Sequence, residues 1–204
     1  MASFHLLKIS RLEGLTDGIF AIAMTILILN LHVPNQLDDT HLLPFIKNDT
    51  FYNLFIFMGS FIILGTHWIA MSFQMGLVDH LNRAYLWVNM IYLMVICVVP
   101  FSANLLGIYP HSTSSIYFYA VNLLCASLGQ LLIFLCARYF DLYKNADTAN
   151  IYWAGVKRVL VAPPFYICSV VLASWNITAA FILLVLPTII YLKPGRIDRY
   201  ENQG

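Results

Sequence analysis

Six apolar stretches, most of them long enough to cross a lipid bilayer, fill this chain and leave little between them. They run over Arg11–Val33, Phe51–Met75, Ala84–Leu106, Ile116–Ala137, Val159–Ser174 and Ile177–Leu192. A membrane helix needs about 20 apolar residues for a hydrocarbon core of roughly 30 Å, so six consume about 120 residues. From a chain of 204 residues, that leaves only loops and tails. Hydrophobic residues make up 60% of the chain and charged residues 10%, against roughly 45–50% and about 25% in soluble domains. A formal net charge of +1 without a clustered basic face excludes a nucleic-acid binder. The expectation is an all-α integral membrane protein in the lipid bilayer, with six transmembrane helices in one domain spanning residues 1–204. The start does not read as a cleavable signal peptide. Lys8 and Arg11 precede a full-length apolar run with no small-residue cleavage pattern after it.

The last two stretches are short and joined by a tight turn at Trp175–Asn176, which predicts a helical hairpin. The polar segment Asp141–Asn150 separates spans four and five as the one cytoplasmic excursion. With six spans, one side of the membrane receives Lys8, Arg11, Arg83, Arg138, Lys144, Lys157, Arg158, Lys193, Arg196 and Arg199. The other side receives only Lys47. The positive-inside rule then places both termini in the cytoplasm. The first outer loop carries Asp38, Asp39 and Asp49, a negative excess that would concentrate cations at the outer face.

No metal or catalytic constellation stands out. Cys97, Cys125, Cys136 and Cys168 fall in or beside apolar runs, without CxxC or Cys/His spacing. His67, Asp79 and His80 match no zinc pattern, and Ser102, Ser127 and Ser169 have no histidine at similar depth. The chain does not read as an enzyme, and no cofactor or bound metal is expected.

The first span carries the unusual chemistry. Ser10-Arg11-Leu12-Glu13 has the form of a capping box, which explains Glu13 without a catalytic role. Asp17 lies seven residues beyond that cap, about 10 Å along the helix, at or inside the hydrocarbon edge. A carboxylate there needs partners. Arg11 is six residues away, roughly 240° around the helix, so the two cannot meet on one face. His67 lies roughly 12 Å from the end of span two and Asn89 roughly 9 Å from the start of span three. Asp17, His67, Trp68 and Asn89 can therefore share one polar layer near the cytoplasmic side, as interhelical hydrogen-bond partners. Above Asp17, the residues Gly18, Ile22, Thr25, Leu29 and His32 recur at helical spacing, with Ile26 on the flank. Such stripes pack against neighbouring helices or line a path, and Thr25 is the lone hydroxyl among branched apolar residues.

The segment Arg11-Leu-Glu-Gly-Leu15-Thr16-Asp17, followed by Gly-Ile-Phe-Ala-Ile-Ala-Met-Thr, resembles the Arg-x-x-x-Phe-Ser-Asp signature of the transmembrane protein 175 family of potassium channels. The resemblance continues through Trp68-Ile-Ala, Leu86-Trp87-Val88-Asn89 and Pro100-Phe101. Leu15-Thr16 replaces Phe-Ser while keeping a hydroxyl beside Asp17, and Met71 stands where family members often carry a histidine. The second half of the chain matches only as further apolar spans.

This resemblance implies a prokaryotic, multi-pass plasma-membrane protein that assembles as a homotetramer, with four copies of helix one around a potassium path. It implies an apolar constriction at Ile22, Ile26 and Leu29, with Thr25 supplying hydroxyls. It also implies a signature network of Arg11, Thr16, Asp17, His67, Trp68 and Asn89 that holds helix one against helices two and three. The expected function is a potassium-preferring cation channel of moderate selectivity, gated by dewetting of aliphatic rings. The alternative is a proton-coupled secondary transporter that titrates Asp17 and His67. Carriers tend to show repeats and broken helices, and no repeat is visible here.

Overall fold

The computed structural model describes residues 8–29, 31, 51–144 and 148–191. Seven helices account for nearly all of them: α1 Ile9–Leu29, α2 Phe51–Gly76, α3 Arg83–Ile108, α4 Thr113–Tyr139, α5 Thr148–Val159, α6 Ala162–Leu172 and α7 Ile177–Tyr191. By length and apolarity, α1 to α4 and the stretch Tyr152–Leu172 can each cross a membrane, while α7 is a shorter apolar helix of 15 residues. The all-helical expectation holds, with five spanning stretches and one shorter helix. His32, Asp38, Asp39, Lys47, Asp49, Lys193, Arg196 and Arg199 lie outside the described residues.

Two boundary expectations need correction. Span five starts earlier than Val159, because α5 already supplies apolar helix from Tyr152. The helix breaks at Leu160–Val161, since Pro163 and Pro164 cannot donate to the carbonyls one turn before them. Tyr191 braces the break: its hydroxyl donates to the Arg158 carbonyl at 2.9 Å, which also accepts the Val161 N–H, and lies 3.5 Å from the Val159 carbonyl that Pro163 leaves open. The capping box is also displaced. Arg11 N–H already donates to the Lys8 carbonyl at 3.0 Å, so Ser10 sits inside the helix rather than at its cap.

Contacts between described residues fix the direction of each helix. Asp17 meets Trp68 and Met24 meets Gly65, so α1 and α2 run antiparallel. Ser102 donates to Asn122 at the outgoing end of α3, and Tyr92 lies against Gly129 lower down, so α3 and α4 are antiparallel too. A Cβ on Gly129 would meet the Tyr92 ring at 3.1 Å. Glycine there lets the two helices approach closely, the usual use of small residues between membrane helices. Gly155 plays the same part under Phe134, where a Cβ would stand 2.7 Å from the ring. With α6 and α7 paired through Ser169 and the Ala180 carbonyl at 2.8 Å, all described lysines and arginines gather toward the end of the bundle that carries the N-terminus.

A short strap closes that basic end. The loop after α2 and the loop after α4 pair at Val78 and Tyr143, with Asp79 N–H on the Leu142 carbonyl at 2.8 Å and Lys144 N–H on the Leu77 carbonyl at 3.1 Å. The Lys144 ammonium donates to the Gly76 carbonyl at 2.9 Å, a cation at the negative end of α2. Tyr143 packs beneath the strap, and burial raises its hydroxyl pKa above the ordinary value.

Candidate functional site

Helix α1 divides cleanly into two faces. Leu12, Thr16, Phe20, Ala23 and Leu27 are buried against α2 and α3, at the spacings of one helical face. Phe20 reaches Tyr92 on α3 with ring centroids 6.4 Å apart. The opposite face carries Gly18, Ile22, Thr25, Ile26 and Leu29, all exposed within the single chain. Ile22 is 60% and Leu29 70% exposed, so among the described residues little covers them. Only 28% of the α1 window is buried, against 44% for α3 and α4. The helix that carries the unusual chemistry is thus the least covered of the spans.

Thr25 sits in the middle of the open face. Its hydroxyl donates to the Ile22 carbonyl at 2.9 Å, as hydroxyls inside membrane helices commonly do. With its proton committed to the helix backbone, the oxygen keeps its lone pairs as an acceptor on the open face.

Beside Gly18, at Asp17, the polar residues are wired differently from a single shared layer. The Trp68 indole N–H donates to Asp17 Oδ1 at 2.8 Å, which ties α2 to α1 through the signature aspartate. His67, the adjacent residue, points to another helix. Its Nδ1 lies 2.8 Å from Gln130 Oε1 and 3.2 Å from the Tyr92 hydroxyl. Successive helical residues point about 100° apart, so a helix that aims Trp68 at α1 must aim His67 elsewhere. Asp17 and His67 are therefore not brought together as a pair. Asn89 turns its amide back to the Tyr85 carbonyl of its own helix at 2.7 Å. Thr16 faces the interior, away from Asp17, and its hydroxyl has no hydrogen-bond partner among the described residues. Arg11 is exposed, and among the described residues no ion pair joins it to Asp17.

The sequence reading missed Gln130 and Tyr92. Gln130, one of two amides with Asn122 inside the apolar run of span four, was the available signal, because a polar side chain in a membrane helix needs a partner. Asp79 and His80 lie on the strap, 3.7 Å apart. Among the described residues no cluster of three or more metal-ligating side chains forms.

Comparison with known proteins agrees with the resemblance read from the first span. The family model described as endosomal/lysosomal potassium channel TMEM175 matches residues 11–100. A protein named as a potassium channel from Streptomyces collinus is 31% identical over 99 residues, 48% of this chain and 48% of the relative. Another so named, from a Chryseobacterium species, is 26% identical over 123 residues, 60% of this chain and 62% of the relative. A third, from Chamaesiphon minutus, is 31% identical over 100 residues, 48% of this chain and 49% of the relative. The aligned part of the chain thus spans about half of two of these relatives and 62% of the third. The fold matches the crystal structure of a lysosomal potassium-selective channel TMEM175 homolog from Chamaesiphon minutus. The TM-score is 0.77 at 22% identity, covering 90% of this chain and 96% of the other. The chain is similar to the TMEM175 potassium channels over its first three helices and has the fold of the Chamaesiphon homolog over most of its length. These relatives are named as channels, and none as an enzyme.

Proposed function

We propose that this chain, a prokaryotic relative of the TMEM175 channels, is a potassium-preferring cation channel of the cell membrane whose path is lined by α1. The observation that carries this reading is the open α1 face, where Thr25 sits between Ile22, Ile26 and Leu29, all exposed among the described residues. Four copies would close that face around an axis as a homotetramer. Rings of Ile22 and Leu29 then hold the path shut by dewetting, because an ion cannot shed its hydration shell against aliphatic walls. Opening requires α1 to rotate or splay until water enters.

Four Thr25 oxygens, each with its proton on the Ile22 carbonyl, would present acceptors to the ion. They replace part of its hydration shell, which favours potassium over the more tightly hydrated sodium. A site this sparse discriminates moderately. The Trp68–Asp17 bond holds α1 to α2 below the constriction, so Asp17 acts as a fastening rather than as a permeation group. The gathering of lysines and arginines at the N-terminal end of the bundle supports cytoplasmic termini by the positive-inside rule.

The test is a bi-ionic reversal potential on purified protein in planar bilayers, with potassium on one side and sodium on the other. A potassium-directed reversal that shrinks in Thr25→Val supports the reading, as does a raised conductance in Ile22→Asn. An unchanged reversal potential in Thr25→Val removes the threonine ring, and an unaltered current in Ile22→Asn removes Ile22 from the gate. Tracer uptake that saturates and appears only under a proton gradient would replace the channel by a carrier.

A further inference from the structure

A cavity of about 560 Å³ lies between α2, α4, α5 and the end of α7, and no residue of α1 contributes to it. Along α2 it runs from Thr66 to Gly76 and Leu77. Ten residues of helix rise roughly 15 Å, the depth of one leaflet in a hydrocarbon core of roughly 30 Å. Ile69, Phe73, Phe134 and Val159 give the cavity apolar walls. Trp68 and Ile69 line it and are also exposed, so it opens sideways on the flank of α2, at the depth of lipid tails.

Most polar groups on its walls already hold partners. His67 Nδ1 and Gln130 Oε1 lie 2.8 Å apart, the Thr66 hydroxyl donates to the Ile63 carbonyl at 2.8 Å, and the Trp68 indole donates to Asp17. Arg158 and Tyr191 bond each other in both directions, at 3.2 and 2.9 Å. Gln130 Nε2 is without a partner among the described residues, but the atom is buried and out of a ligand's reach. Hydrocarbon in this space therefore strands none of these groups, and it covers Ile69 and Phe73, which favours burial.

The end of the cavity at the strap carries the opposite chemistry. Gly76 lines that end, and its carbonyl accepts the Lys144 ammonium at 2.9 Å. A neutral carbonyl takes one of three ammonium donors and leaves two donors and the net charge. Asp79 and Asp141 stand on the same two loops, yet among the described residues no ion pair joins either to Lys144. A cation at the rim of an apolar space one leaflet deep matches a phospholipid with an anionic headgroup, because basic residues at the membrane surface attract such lipids.

We propose that this cavity holds an acyl chain of an anionic phospholipid, with its phosphate on the Lys144 ammonium and the chain rising past Phe73 toward Thr66. The chain rests against Trp68, the residue whose indole bonds Asp17 on α1.

The test reads quenching of tryptophan fluorescence by phosphatidylglycerol with brominated chains, with the full chain in phosphatidylcholine nanodiscs. Trp87, Trp153 and Trp175 are exposed and lie outside the cavity, so replacing them by phenylalanine leaves Trp68 as the reporter. The expected result is quenching that saturates at a small mole fraction of brominated phosphatidylglycerol, whereas brominated phosphatidylcholine quenches only in proportion to its share of the bilayer. Lys144→Gln should weaken that binding about fivefold, the worth of one basic residue at a membrane surface. Ser72 is exposed and lines the cavity, so Ser72→Phe should abolish the saturation by filling the space. Equal quenching by the two lipids, or undiminished binding in Ser72→Phe or in Lys144→Gln, would overturn the proposal. So would a Trp68 that neither lipid quenches, which would assign the mouth of the cavity to a neighbouring copy of the chain. Because the readout is binding and not flux, its failure leaves the channel reading untouched.

Discussion

The bond between Trp68 and Asp17 is a polar contact that joins α1 to α2, and a double-mutant cycle can weigh it. Trp68→Phe keeps a ring in place and removes the N–H; Asp17→Asn removes the charge and keeps the shape. The measured separation of 2.8 Å falls in the range of about 2.7–2.9 Å for a hydrogen bond to a carboxylate. A bond of that kind is worth about 1.5–3 kcal/mol, but membrane interhelical bonds average nearer 0.6 and reach about 1.7 kcal/mol. Trp68 is 40% exposed, which argues for the lower part of the range. The expected coupling is about 1 kcal/mol, read from unfolding of the two single mutants and the double mutant in mixed detergent micelles. Additivity within about 0.3 kcal/mol would show that the bond does not hold α1. The matching cycle for Asp17 with His67 should show no coupling, since His67 is occupied by Gln130 and Tyr92. A coupling larger there than at Trp68 would refute the geometric argument and restore the titrating pair of a carrier.

Three further perturbations follow from the packing. Gly155→Ala brings a Cβ to 2.7 Å from the Phe134 ring and should cost about 1–3 kcal/mol; Gly129→Ala, at 3.1 Å from Tyr92, should cost less, and a reversed order in thermal unfolding contradicts the contact geometry. Gln130→Leu strips His67 of its 2.8 Å partner and should lower stability by about 1–2 kcal/mol, while a neutral result would show the pair to be incidental. Tyr191→Phe removes the hydroxyl that caps the break at the two prolines and should cost about 1 kcal/mol. Faster proteolysis between α5 and α6 is the local readout, and unchanged cleavage would show the break to be stable without it.

The sequence carried the membrane class, the helical spans and the asymmetry of basic residues because each depends on composition over long windows. The direction of single side chains was harder to read. Depth counting put Asp17, His67, Trp68 and Asn89 at one level, yet level does not specify azimuth. Only the rotation of α2 about its own axis decides that Trp68 meets α1 while His67 meets α4. The same limit hid Gln130, whose partner is 63 positions away in the chain. Span five, read from Val159, was misplaced for another reason: the helix breaks at Leu160–Val161, yet Tyr191 braces that break and the helical path begins at α5.

The two faces of α1 ask for different surroundings. On one, Phe20 and Leu27 are 1% exposed and fully packed, so α1 is held firmly by its own chain. On the other, Asp17 and Thr25 share an exposed surface with Ile22, Ile26 and Leu29. A carboxylate deep in hydrocarbon costs about 2.5 kcal/mol or more, and less toward the interface, so lipid alone is a poor cover for the lower half of that face. Water alone is a poor cover for the upper half, where three branched side chains gather. A closed ring of α1 copies satisfies both, with a wet lower vestibule at Asp17 and a dry constriction above it. The proposed tetramer therefore rests on the chemistry of one face, and Asp17→Asn should weaken assembly before it alters ion preference. Size-exclusion profiles of that variant, set beside its reversal potential, separate the two effects; a normal profile with a shifted reversal would move Asp17 from fastening to permeation.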